Sequence, residues 1–217
     1  MRINAKFDER AIVEPDPEAW IKSPEAGVDR LMLDRIGDEV ARATSIVRYL
    51  PGSSFGEHSH AKGEEFLVLD GVFSDEHQDY PVGTYVRNPP GTKHSPHSTD
   101  GCRILVKLRQ FDDDDRTPVV VDTTDQDLWS KDEATGGRRL DLYSFGTETV
   151  AMLALPSGFD AVRRIGQGGL EWFVVSGKLS IDGAQYGAES WFRFPAGDGF
   201  RMKASTDCRV WQKTGHI

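Results

Sequence analysis

Cysteine is nearly absent from this chain of 217 residues, which carries only Cys102 and Cys208. Neither lies near another in sequence, so zinc-finger and dithiol redox spacings are excluded and two separate buried thiols are expected. Basic charge is scarce as well: 26 Lys and Arg stand against 35 Asp and Glu, for a formal net charge of -9 and a sequence pI near 5.2. No basic stripe appears and the densest charged run, Asp112 to Asp115, is acidic, so nucleic acid is not an expected partner. Long apolar runs are missing too. None approaches membrane-spanning length, and the stretch from Met1 to Glu9 lacks the apolar core of a secretion signal. The expectation is a cytoplasmic protein with no membrane partner. Apolar residues, at 38%, still suffice for real cores in one domain or two.

What the sequence does contain is one module written twice. A shift of 106 positions aligns Gly52 with Gly158, Glu65 with Glu171, Gly71 with Gly177, Arg87 with Arg193, Pro89 with Pro195, Cys102 with Cys208 and Lys107 with Lys213. A shift of 109 aligns Trp20 with Trp129, Leu31 with Leu140 and Gly37 with Gly146, so a small deletion separates the two stretches. Two copies imply tandem duplication of a domain and not a solenoid of short repeats. The domains are read as residues 1–111 and 112–217, joined by a charged, solvated linker from Phe111 to Pro118.

Within each copy the pattern is β. Thr44 to Leu50, Phe66 to Leu69, Thr84 to Arg87 and Arg103 to Arg109 are rich in branched and aromatic residues and bounded by Gly, Pro, Asp and Ser. Val150 to Leu155, Trp172 to Val175, Ser190 to Phe194 and Arg209 to Lys213 repeat them. In the run from Arg103, Ile104, Val106 and Leu108 alternate with Arg103, Lys107 and Arg109, which predicts one buried face and one wet face. An all-β sandwich or jelly-roll barrel follows for each half, with a single helical turn expected in residues 15–23.

The chemistry is concentrated in the first copy. His58 and His60 are two apart and share a strand face, and a turn through Ala61 to Gly63 can fold Glu64 back beside them. His94, from a separate hairpin, completes three imidazoles and a carboxylate, a donor set suited to zinc, iron, manganese or nickel. Glu65 has the opposite strand parity to Glu64 and is expected at the surface or behind the ligands. His77, in a polar loop, and His97, out of phase with His94, are expected to be solvated or behind the ligands. The shift that aligns the copies puts Arg164, Gly166, Leu170 and Phe200 in the ligand positions, so one metal ion per chain is expected and the second half serves as scaffold or interface. Trp172, Trp191, Phe192 and Phe194 are expected to fill its interior. Ser53 and Ser54 lack the context of a nucleophile, and Tyr80 and Tyr85 can either orient a ligand or pack.

The intervals Gly52, His58, His60, Glu64, Gly71 and then Gly83, Pro89, Gly91, His94 resemble the two motifs of the cupin superfamily, with Ser98 where its second motif has Asn. The wording from Glu64 to Glu76 and from Tyr80 to His94 is more narrowly similar to the cupin domain of ChrR-type anti-sigma factors, over roughly residues 44 to 110. The resemblance implies two tandem double-stranded β-helix barrels, the first holding zinc on His58, His60, Glu64 and His94. It implies a stress-responsive or small-molecule-responsive regulator, with an oxidant or small molecule as partner of the first barrel. The family's sigma-binding region is a separate helical domain with His and Cys ligands; no Cys precedes the repeat here, so direct sigma-factor binding is not expected. The alternative is a mononuclear non-haem metal dioxygenase for a small diketone or hydroxyacetophenone, since such cupins use three histidines. Catalytic residues are not assigned by either reading, and a homodimer is compatible with both.

Overall fold

The structure, a computed structural model, describes residues 1–217. Nearly all regular structure is strand; a short 3-10 turn covers Gln126–Leu128, and no helix is long and apolar enough to cross a membrane. Contacts divide the chain into two compact units, Met1–Ala5 with Asp16–Thr124, and Lys6–Pro15 with Asp125–Ile217.

The main sheet of the first unit runs Arg2–Ile3, Val28–Gly37, Ala41–Tyr49, Cys102–Leu108, Glu64–Ser74, Thr84–Asn88, Val119–Asp122. That of the second runs Ser130–Asp132, Gly137–Phe145, Glu148–Leu155, Cys208–Thr214, Leu170–Ser176, Trp191–Phe194, Ala11–Val13; the last six strands follow the same order as their equivalents, and Ser130–Asp132 corresponds to Ile21–Lys22, which also pairs with Val28–Gly37. The irregularities repeat as well. A register shift between Met32 and Asp34 recurs between Asp141 and Tyr143, and Leu69 is skipped in one ladder as Val175 is in the other. Such bulges fix which side chains face the barrel interior, so they travel with the fold.

The two outermost strands are exchanged between the copies. Ala11, Ile12 and Val13 pair with Arg193, Phe192 and Trp191, while Val119, Val120 and Val121 pair with Arg87, Val86 and Tyr85. Ala11–Val13, from the first copy in sequence, thus belongs to the second unit, and Val119–Asp122, from the second copy, to the first, so the units divide at Ala5/Lys6, Pro15/Asp16 and Thr124/Asp125 and not at 111/112. The expected solvated linker is only partly so. Asp112 to Asp114 are exposed, but Phe111 is buried beneath the Arg87 guanidinium, 4.0 Å from its ring centre, and Asp115 is buried and accepts from Arg87 Nη2 at 2.6 Å. Phe7 covers Arg193 in the same way at 4.2 Å.

The interior-facing core of the first unit includes Val28, Val47, Tyr49, Phe66, Phe73, Ile104 and Val106. The other face of its strands is covered too, contrary to the wet face expected around Lys107. Lys107 is buried and donates to Thr44 Oγ1 at 2.9 Å, and Glu65, also buried, meets Arg87 at 3.2 Å. Charges are tolerated there because each has a partner; removing one member of such a pair costs about 3–5 kcal/mol. The helical turn expected in residues 15–23 does not form. Pro15 and Pro17 disfavour helix, and Asp16 instead accepts from Glu18 N at 2.9 Å in a turn that leads into the strand Ile21–Lys22.

Candidate metal centre

Local geometry brings the four proposed ligands together. The short strands His58–Ser59 and Lys93–His94 pair antiparallel with His58 opposite His94. His60 follows on the same face, held by His60 N to Thr92 O at 2.9 Å. The chain then reverses through Ala61 to Gly63, where Gly63 has φ +74° and an added Cβ would lie 2.3 Å from Cγ of Phe111, so glycine is required for both reasons. The turn delivers Glu64 as the first residue of the strand Glu64–Ser74. One ligand atom from each of His58, His60, Glu64 and His94 lies within 4.8 Å of all the others. Nε2 of His60 and of His94 are each 3.5 Å from Glu64 Oε1, close to the ~3.3 Å edge of a tetrahedron of donors ~2.0–2.1 Å from a metal.

The outer nitrogens fix the tautomers. His58 Nδ1 is 3.0 Å from the Gly56 carbonyl, His60 Nδ1 is 2.9 Å from Thr92 Oγ1, and His94 Nδ1 is 3.3 Å from Asp75 Oδ2. A carbonyl and a carboxylate can only accept. Thr92 spends its hydroxyl hydrogen on Pro89 O at 2.8 Å and so accepts from His60. All three imidazoles therefore carry hydrogen on Nδ1 and turn an Nε2 lone pair inward. Nε2 of His60 and of His94 is buried without a hydrogen-bond partner. Leaving such an atom unpaired costs about 1–3 kcal/mol, which a cation in the site would offset. Burial, reinforced by the neighbouring His58, pushes His60 down to about 4, and burial also lowers His94 against the pull of Glu64. Both are neutral at pH 7, as ligation requires.

Asp75, Thr92 and Asn88 are the supporting residues that sequence reasoning missed. Burial raises the Asp75 carboxyl, but the N–H groups of His77 and Gln78, with Tyr80 and His94, outweigh it and hold the group below the ordinary range. Asn88 Nδ2 donates to Glu64 Oε1 at 3.2 Å. No spacing rule marks these residues, because turns and neighbouring strands bring them to the ligands. Tyr80 therefore acts through Asp75, whereas Tyr85 donates to Glu65 at 2.8 Å, away from the ligand group. Glu65 is buried in that ion-pair layer rather than at the surface. His77 and His97 are exposed. Asp75→Asn is expected to weaken metal binding ~10–100-fold in chelator competition while His77→Ala leaves it unchanged.

The ligands open onto a cavity of about 340 Å³ lined by apolar side chains including Val28, Val47, Tyr49, Phe73 and Ile104. In the second unit the corresponding space is filled. Ile165 N bonds Asp198 O as His60 N bonds Thr92 O, and Phe200 pairs with Arg163 as His94 pairs with His58. One extra residue in the turn thus makes Arg163 and Ile165 the counterparts of the first two histidines, in place of Arg164 and Gly166; Leu170 and Phe200 stand as expected. None of the four is a metal ligand. Phe200 stacks on Phe194 with centres 4.2 Å apart and meets Trp172 edge-on at 5.4 Å, and Trp172, Phe192 and Phe194 lie in the same core.

Two jelly-roll barrels in tandem, one gathering three imidazoles and a carboxylate inside, define the class as a bicupin with a candidate metal site. Residues 8–112 match the family model described as the ChrR cupin-like domain. No curated protein matches the chain in sequence. Among solved structures, a provisionally assigned dioxygenase from Nostoc punctiforme is similar with a TM-score of 0.74 and 15% identity, covering 100% of this chain and 83% of that one. The bacterial pirin YhhW of Escherichia coli in complex with nickel(II) has a TM-score of 0.67 and 15% identity, over 95% and 98% of the two chains. The salicylate 1,2-dioxygenase of Pseudaminobacter salicylatoxidans has a TM-score of 0.64 and 13% identity, over 80% and 70%. At these identities the likeness concerns the fold.

Proposed function

We propose that the first barrel holds one divalent metal ion on His58, His60, Glu64 and His94 and presents it to a small molecule in the adjoining cavity. The observation that carries this reading is the pair of buried, unpartnered Nε2 atoms of His60 and His94 facing Glu64. Three buried ligands hold the ion in place, while the half-buried His58 stands nearest solvent. The bound metal would supply Lewis acidity, or redox chemistry if it is iron. Around it, Asp75, Thr92 and the Gly56 carbonyl orient the imidazoles. Zinc in a ligand-responsive regulatory domain is the reading favoured by the match to the ChrR cupin-like domain. An oxygenase acting on a small organic substrate is the second reading, favoured by the apolar cavity beside the ligands.

Elemental analysis of protein purified without added metal tests the proposal, with about one equivalent per chain expected. Stoichiometric zinc supports the regulatory reading and iron the oxygenase. Two equivalents, or metal content undiminished in a protein carrying both His58→Ala and His94→Ala, would overturn it.

A further inference from the structure

The cavity that opens onto the proposed metal ligands is also lined by Arg30, Arg35 and Arg109, against one acidic residue outside the ligand set, Glu39. Arg35 is 4% exposed, yet no carboxylate lies within ion-pair distance of it. One of its nitrogens donates to the Asp38 carbonyl; the guanidinium has five N–H donors, so most of its capacity is unspent. Arg30 meets only the exposed Glu39, at 3.2 Å, and its Nε is buried without a partner. Burial first and the charge of Arg30 second depress the Arg35 pKa, outweighing the opposite pull of the exposed Glu39 and Asp38. A buried charge with no ion pair of its own is costly and is ordinarily matched by an opposite one.

The strand builds this arrangement deliberately. Val28, Arg30 and Met32 share a strand face by parity, with Val28 and Arg30 lining the cavity, and without the irregularity between Met32 and Asp34 the residue after Met32 on that face would be Asp34. The bulge re-phases the strand so that Arg35 lines the cavity instead. The second unit has the same bulge, but Ser144 occupies the position equivalent to Arg35, in the barrel that also lacks the metal ligands.

The geometry points to a small organic carboxylate as the cavity's ligand, its carboxylate held by Arg35 with Arg30 and its apolar body against Val28, Val47 and Ile104. This deepens the proposed function and rests on it for the far end of the molecule, which meets the metal. A planar guanidinium fork suits a carboxylate bidentately, and a cavity of about 340 Å³ sits at the small end of ligand pockets.

Benzoate, phenylacetate and isovalerate, each against its own uncharged amide, are the probes, with binding measured calorimetrically on the full-length protein, metal-loaded and again after chelation. For at least one pair the carboxylate is expected to bind ten-fold or more tighter than the amide, and Arg35→Gln to reduce that ratio to near one with metal content unchanged. Arg35→Lys should keep part of the preference and guards against a variant that does not fold. Equal binding of acid and amide in every pair would overturn the inference, as would a preference that survives Arg35→Gln but vanishes on chelation, since the metal and not the arginine would then hold the carboxylate. A preference that depends on Arg35 in protein found to bind no metal would uphold the anion site and sink the metal reading alone.

Discussion

A His94→Ala protein is expected to bind its metal ~10²–10³-fold more weakly than the parent. A four-ligand zinc site is worth ~10–16 kcal/mol, or ~2.5–4 kcal/mol for each ligand. His94 is buried, whereas His77 and His97 are exposed. The loss should exceed that of Asp75→Asn, because the carboxylate only orients a ligand. Competition with a chelator of known affinity, read by metal analysis after dialysis, ranks the variants. Equal affinities for His94→Ala and the parent would place the metal elsewhere. The change should also remove thermal protection: metal at 1,000 times its Kd stabilises the folded state by ~4 kcal/mol, so adding metal should raise the melting temperature of the parent and not of His94→Ala.

Trp172→Ala is expected to destabilise the second unit by about 3–5 kcal/mol. Its side chain is fully buried, its Nε1 donates to Gln212 Oε1 at 2.9 Å, and its ring packs on Phe200 and lies under Arg163. Truncation leaves a cavity and removes one of the two donors to Gln212 Oε1, the other being Arg163 Nη2 at 2.9 Å. A melting transition lower by at least ~10 °C follows for a unit of this size. Metal content should stay near one equivalent per chain at temperatures where the variant is folded, because the proposed ligands belong to the other unit. A fall in metal content under those conditions would show that the aromatic barrel supports the metal site itself. An unchanged unfolding profile would mean that Trp172 is not a core residue in solution.

Much of the site was legible in the sequence because its rules are local. Strand parity put His58 and His60 on one face, and the glycine turn returned Glu64 to them. The duplication was legible for a similar reason, since glycines, prolines and aromatics at one spacing need only be counted. Local rules misled where a single residue changed the phase: the extra residue in the turn after Ile165 shifts the counterparts of the histidines by one position. Strand alternation likewise marked Lys107 as wet, but it says nothing of what covers a sheet's second face.

The sequence by itself determined the all-β halves, the convergence of His58, His60 and Glu64, and the loss of ligands in the second copy, because strand period, turn chemistry and residue type act over a few positions. Tertiary structure alone decided that Asp75 orients His94, that Asp115 neutralises Arg87, that the first strands are exchanged between copies, and that a bulge turns Arg35 toward the cavity. Those features depend on contacts between residues far apart in the chain, where burial and the need to satisfy each charge and hydrogen bond select the partner and no spacing in the sequence records the choice.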